Sequence, residues 1–230
     1  MTPPLMLEKI QALSRLDTCT VANAIEEFNL RLRNEGFCNG SIRCMLPSLP
    51  PTAGYAVTAK VRCSVPPAIG HRYHDRTDWW DLILRTPAPR IVVLEDVDDP
   101  PGQGSFVGEM HATILHALGC AACITNGAVR NLPSAEALGL HFFASTLSVS
   151  HAFAHLISLD EPVEIGGLRI HPGDLLHADQ HGVLKIPHEI AADIPAKAKE
   201  ILARRQPVID FCWSPDFSVT GLRALVRNMD

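Results

Sequence analysis

Gly108-Glu-Met-His-Ala-Thr-Ile-Leu-His-Ala-Leu-Gly119, followed by Cys120-Ala-Ala-Cys-Ile-Thr125, Asn126-Gly127 and Ala128-Val-Arg130, decides the fold of this chain. Met110, Ile114, Ala117 and Leu118 recur at helical spacing, and Gly119 ends the pattern as a helix C-terminus does. The apolar run after it fits a buried strand, and Asn-Gly marks a turn. Beyond Arg130, Asn131 stands where an N-cap belongs, with Pro133 in the first turn of a helix that Gly139 closes. Helix, buried strand and helix in immediate succession predict a mixed α/β architecture.

Working outward, Leu7, Ile10, Leu13 and Leu16 predict a first helix, and Asp17, Thr18 and Thr20 offer a cap for a second over 21–28. Residues 36–51 read as an irregular connection. Residues 54–65 alternate and are rich in β-formers, residues 78–84 read as helix, and residues 90–95 as a buried strand. Downstream, strands are predicted at 141–144, 163–165, 168–170, 175–178 and 183–186, with turns at 172–174 and 179–182 and a helix over 189–205. No repeat or linker divides the chain, so one domain over 1–230 is expected.

The chain has 230 residues, 47% of them hydrophobic and 20% charged, as a globular protein does. Its net charge of −5 argues against a broad grip on nucleic acid, which needs lysines and arginines to displace counterions. Seven cysteines at irregular spacing do not make a secreted disulfide framework. Neither a signal-peptide pattern nor an apolar run of the ~18 residues needed for a membrane span is visible. A soluble, cytoplasmic protein with no nucleic-acid or membrane partner is expected.

A second patterned stretch, Gly167-Leu-Arg-Ile-His-Pro-Gly-Asp174-Leu-Leu-His-Ala-Asp179-Gln-His-Gly-Val-Leu-Lys-Ile-Pro187, follows the first in the order found in the RraA-like family. The chain resembles that family over about 13–205, most weakly over 64–86. The family comprises ribonuclease E activity regulators and 4-hydroxy-4-methyl-2-oxoglutarate aldolases. The resemblance implies a single α/β domain of the β/β/α swivelling type with flanking N- and C-terminal helices, assembled as a homotrimer or hexamer. For the aldolases it implies active sites at subunit interfaces, a divalent metal (Mg2+ or Mn2+), and cleavage of a small 2-oxo acid to release pyruvate. Oxaloacetate decarboxylation accompanies this, because both reactions pass through the pyruvate enolate. Regulator members bind a ribonuclease instead.

Arg130 is the leading site candidate. A planar guanidinium pairs with a carboxylate in two-point fashion and stabilises enolate charge as it develops; the plainer reading is a surface arginine at a strand end. Glu109 matches the family's acidic position for proton transfer, the plainer reading being a first-turn acid that complements the helix dipole. Gly108 and Met110 flank it as substrate-binding candidates. Asn131 falls where the aldolases have an aspartate as direct metal ligand, and Ser134 where they have a second acid. The motif's two carboxylates are thus absent, although magnesium favours hard anionic oxygens. A helix N-cap explains Asn131 without metal.

Other patterns carry weaker signals. His151 and His155 have the i, i+4 spacing of a zinc pair, His71 and His74 are candidate metal or substrate contacts, and His177, Asp179 and His181 alternate beside a hairpin. Cys120 and Cys123 form a lone CxxC in an apparent core strand, while Trp79, Trp80 and Asn23 read as structural. The expected function is a lyase of the aldolase and oxaloacetate decarboxylase type. The alternative is a non-catalytic RraA-like regulator with a vestigial metal site.

Overall fold

The computed structural model describes residues 5–67 and 76–227, so His71 and His74 lie outside the described residues. Helices α1 (Leu7–Leu13) and α2 (Thr18–Glu26) lead into β1 (Arg43–Cys44), β2 (Thr52–Arg62), α3 (Arg76–Arg85) and β3 (Arg90–Asp96). Then come α4 (Glu109–Ala117), β4 (Cys120–Thr125), β5 (Ala128–Val129), α5 (Leu132–Ala137), β6 (His141–Ala144) and β7 (Thr146–Leu147). The rest comprises β8 (His155–Leu159), β9 (Val163–Ile165), β10 (Leu168–Ile170), β11 (Leu175–Asp179), β12 (Gly182–Ile186), α6 (Ile194–Trp213) and α7 (Val219–Arg227).

The main sheet runs β1-β6-β4-β3-β2-β11-β12. Strands β2, β3, β4 and β6 are parallel neighbours, and β2 pairs antiparallel with β11 early and with β8 late. Alternation along the parallel strands sends residues to two different cores. Val57, Ala59, Val92, Leu94 and Cys123 pack with Trp79, Leu115 and Phe142, on the side of α3 to α5. Ala56, Ile91, Val93, Ala122 and Ile124 pack with Val163, Ile165, Leu168 and Ile170 of the β9–β10 hairpin. A third core joins α1, α2 and α6 to Tyr55, Leu175 and Ile186. This is the mixed α/β layering that the sequence implies. Among the described residues no helix is long and apolar enough to cross a membrane.

Buried polar ties fix the layers to one another. Asp179 Oδ2 accepts the Thr18 N–H at 2.8 Å, and the Thr18 hydroxyl meets His177 Nδ1 at 3.0 Å. His177 Nε2 lies 3.1 Å from the Leu13 carbonyl, so both ring nitrogens are engaged in joining β11 to α1 and α2. Burial pushes His177 down from its ordinary value and keeps it neutral. Hence the His177–Asp179 pair is a structural tie, while His181 leans outward on Asp179 at 3.1 Å.

Several elements depart from the sequence reading. The last predicted helix does not stop at 205 but continues through Pro207 to Trp213. Proline frees the carbonyl four residues earlier, and Ala203 lies on an exposed part of the helix, where a freed carbonyl costs less than in the core. Helix α7, missed in the sequence, folds back on α6, with the Phe211 and Phe217 rings 5.9 Å apart. Strand β8 begins at His155, and residues 152–153 form a turn, so the helical register needed for a His151–His155 metal pair does not exist.

Candidate functional site

The site is assembled around β5. It lies parallel to β7, with Ala128 opposite Thr146 and Val129 opposite Leu147. On its other side Val107 forms a parallel bridge to Val129, and the Arg130 N–H donates to the Val107 carbonyl at 3.4 Å. That bridge delivers Gly108, the N-cap of α4, against the base of Arg130. A Cβ on Gly108 would stand 2.8 Å from Arg130 Nε and 3.0 Å from Asn131 Oδ1. Its φ of −130° suits any residue. Glycine is therefore required here for space, so that two polar side chains can converge over it.

Asn131 corrects a sequence expectation. It occupies the N-cap position of α5, but in the left-handed conformation (φ 58°, ψ 45°) and with no side-chain cap bond. Asparagine tolerates that conformation. It turns the amide across to α4, where Oδ1 accepts the Glu109 N–H at 3.4 Å. The side chain thus bonds the neighbouring helix instead of capping its own.

The Arg130 side chain has no hydrogen bond or ion pair among the described residues, and its Nε is buried without an acceptor. Arg90, at the start of β3, shows the contrast. It donates to the carbonyls of Thr86, Leu118 and Leu84 and so closes the ends of α3 and α4. Arg130 instead lines a cleft of about 400 Å³ with Val129, Asn131, Leu132, Leu147, Ser148 and Val149, and is the one charged residue in that lining. Glu109 is exposed on the first turn of α4 with its carboxylate unpaired among the described residues. Met110 is 62% exposed beside it, and neither lines the cleft. The structure thus brings Gly108, Arg130 and Asn131 together, ties Glu109 to them through its backbone, and leaves Met110 at the periphery.

A family model described as RraA-like, Aldolase/RraA, matches residues 18–184. This chain belongs to the RraA-like family. A relative from Halalkalibacterium halodurans, provisionally named 4-hydroxy-4-methyl-2-oxoglutarate aldolase, is 32% identical over 130 residues. That match covers 54% of this chain and 59% of the relative, so the likeness spans about three-fifths of the curated protein. Among solved structures, an uncharacterized protein from Pseudomonas syringae superposes with a TM-score of 0.74 at 18% identity, covering 97% of this chain and 96% of the other. Streptomyces coelicolor RraAS2, described as an unusual member of the RNase ES inhibitor RraA family, gives 0.68 at 20% identity, over 90% of this chain and 98% of its own. At such identities these neighbours speak to the fold alone.

The RraA-like resemblance implies a divalent metal at position 131, and the donor set does not fit one. Asn131 brings no charge, its Oδ1 already faces a backbone N–H, Ser134 is not an acid, and the cleft's single charge is positive. A different cluster, which the sequence reading missed, gathers Cys63, Asp96 and Asp98 with ligand atoms within 4.8 Å of one another. It does not fit a metal either. Asp98 accepts from the Cys63 N–H, the Ser64 N–H and the Ser64 hydroxyl, while Asp96 accepts from Gly102 N–H and Asp98 N–H. The adjoining cavity is only about 10 Å³. Burial pushes the Cys63 thiol up to about 12 and raises Asp96 above the usual carboxylate range. The signal in the sequence was the acidic run Glu95-Asp-Val-Asp-Asp99 directly after a buried strand. Cys120 and Cys123 are buried core residues, Cys120 pushed up to about 12 by burial.

Gly108→Ala tests the convergence over α4. The new methyl must displace the Arg130 and Asn131 side chains, both of which can move, so folding changes little. Ligand affinity at the cleft is expected to fall roughly tenfold, about 1.4 kcal/mol. Calorimetric titration beside a melting curve checks both halves, and unchanged affinity would contradict the geometry.

Proposed function

We propose that this RraA-like protein is a carbon–carbon lyase for a small 2-oxo acid, with Arg130 receiving the pyruvyl end. The observation that carries the reading is the unpaired Arg130 guanidinium in the wall of a cleft, beside a glycine that leaves it room. Family membership and the aldolase name of the 32% identical relative support it.

In oxaloacetate the C3–C4 electron pair moves toward the C2 carbonyl as carbon dioxide leaves, giving the pyruvate enolate. Arg130 holds the substrate carboxylate and stabilises the charge arising on the enolate oxygen. In a 4-hydroxy-2-oxo acid whose hydroxyl end extends out of the cleft to the first turn of α4, the exposed Glu109 takes the hydroxyl proton as the C3–C4 bond breaks, and its carboxyl group returns a proton to C3. The products are pyruvate and a carbonyl fragment.

Glu109→Gln is expected to lower kcat for cleavage of a 4-hydroxy-2-oxo acid by about 10²-fold, with KM little changed. Coupled detection of pyruvate checks this, and an undiminished kcat would remove Glu109 from the proton path. One feature favours a second reading. The neutral Asn131 shares the cleft lining with Leu147, which is exposed, and Val149, which is 98% exposed. A non-catalytic regulator binding a protein such as a ribonuclease would show this surface and release no pyruvate.

A further inference from the structure

We infer that the Arg130 guanidinium and the Asn131 side-chain amide hold the carboxylate of a small 2-oxo acid without a divalent cation. The inference rests on the 2-oxo acid reading and adds how that anion is bound. Three observations carry it. Arg130 Nε and Asn131 Oδ1 lie 2.8 and 3.0 Å from one point, the position a Cβ would take on Gly108, so the two side chains approach the same place. Asn131 Oδ1 is occupied by the Glu109 N–H, and its Nδ2 group has no partner among the described residues, which leaves the amide two N–H donors to offer. Arg130 is likewise a pure donor, with no acceptor of its own.

The cleft therefore presents donors and a single positive charge, with no carboxylate in its lining. A divalent cation entering it would meet repulsion from Arg130 and no anionic oxygen in compensation. A carboxylate entering it would meet a charge-assisted donor and a neutral one. Asn131 thus becomes an anion-binding residue at a position where an aspartate would be a cation-binding one.

The test is calorimetric titration of the full chain with pyruvate, in EDTA and again with excess Mg2+, alongside Mn2+ binding followed by electron paramagnetic resonance. Wild type is expected to bind pyruvate equally, within about twofold, in both buffers and to bind no Mn2+. Asn131→Asp, with circular dichroism to verify its fold, is expected to gain Mn2+ binding. It should also lose about tenfold in pyruvate affinity in EDTA, because two negative groups then share the cleft. Arg130→Gln is expected to lose pyruvate binding in both buffers. Pyruvate binding by wild type that appears only with Mg2+, or Mn2+ binding as tight in wild type as in Asn131→Asp, overturns the inference and leaves the lyase reading standing. Absence of pyruvate binding under both conditions overturns the two together.

Discussion

Arg130→Ala is expected to reduce kcat/KM for pyruvate release by about 10²–10³-fold, about 3–4 kcal/mol of transition-state stabilisation. The same variant is expected to melt no lower than wild type. Arg130 holds no other element in place, and its buried Nε–H lacks an acceptor, an arrangement that costs roughly 1–3 kcal/mol. Removing it takes away a charge the fold does not use. A structural arginine behaves in the opposite way. Arg90, with three carbonyls on its guanidinium, should lose stability on truncation and affect catalysis little. Measuring rate and melting temperature on one preparation separates the cases. Lost stability with retained activity would show that Arg130 serves the fold.

The largest expected loss of stability is at Asp98. Its carboxylate is 1% exposed and accepts the Cys63 N–H at 2.7 Å, the Ser64 N–H at 2.8 Å and the Ser64 hydroxyl at 2.5 Å, with Arg62 Nε 3.4 Å away. These contacts close the end of β2 onto the loop after β3. Asp98→Ala leaves two backbone donors without acceptors and is expected to cost about 3 kcal/mol, lowering the melting temperature by roughly 6–12 °C. The pH dependence follows from the sign of the shift. Burial alone would raise the Asp98 pKa, but the hydrogen bonds from Ser64 and Cys63 outweigh it and hold the group below its ordinary value. Its stabilisation is therefore complete above about pH 4, the unfolded value, and is lost as pH falls through the folded one. The gap between wild type and Asp98→Ala should be widest above pH 4 and close in acid. A gap independent of pH would mean that the carboxylate charge contributes nothing.

The fold was legible in the sequence wherever period and punctuation agreed. The run from Glu109 to Thr125 has a helical stripe, a terminal glycine and a continuous apolar strand, and it folds as α4 and β4. The helix predicted over 189–205 falls short of Trp213 because α6 carries Pro207 inside it, on a stretch exposed enough to tolerate the lost hydrogen bond. Strand β8, which begins at His155, was not read because its five residues lack a clear alternation and follow the irregular stretch 148–154. At the site, the identities of Gly108, Arg130 and Asn131 were readable from their order in the chain. The left-handed backbone of Asn131, which sends its amide to α4, was not, since an asparagine before a proline-containing first turn has the signature of an ordinary cap. The hub of Cys63, Asp96 and Asp98 was hidden for another reason: it joins residues at the ends of two parallel strands that only the sheet register brings together.

The most direct measurement is a crystal structure of the protein soaked with pyruvate in the presence of EDTA. The account predicts pyruvate in the cleft at the C-terminal ends of the paired strands β5 and β7, its carboxylate within hydrogen-bonding distance of the Arg130 guanidinium and the Asn131 amide. An Arg130 turned onto a protein carboxylate, with pyruvate bound elsewhere or not at all, would contradict it.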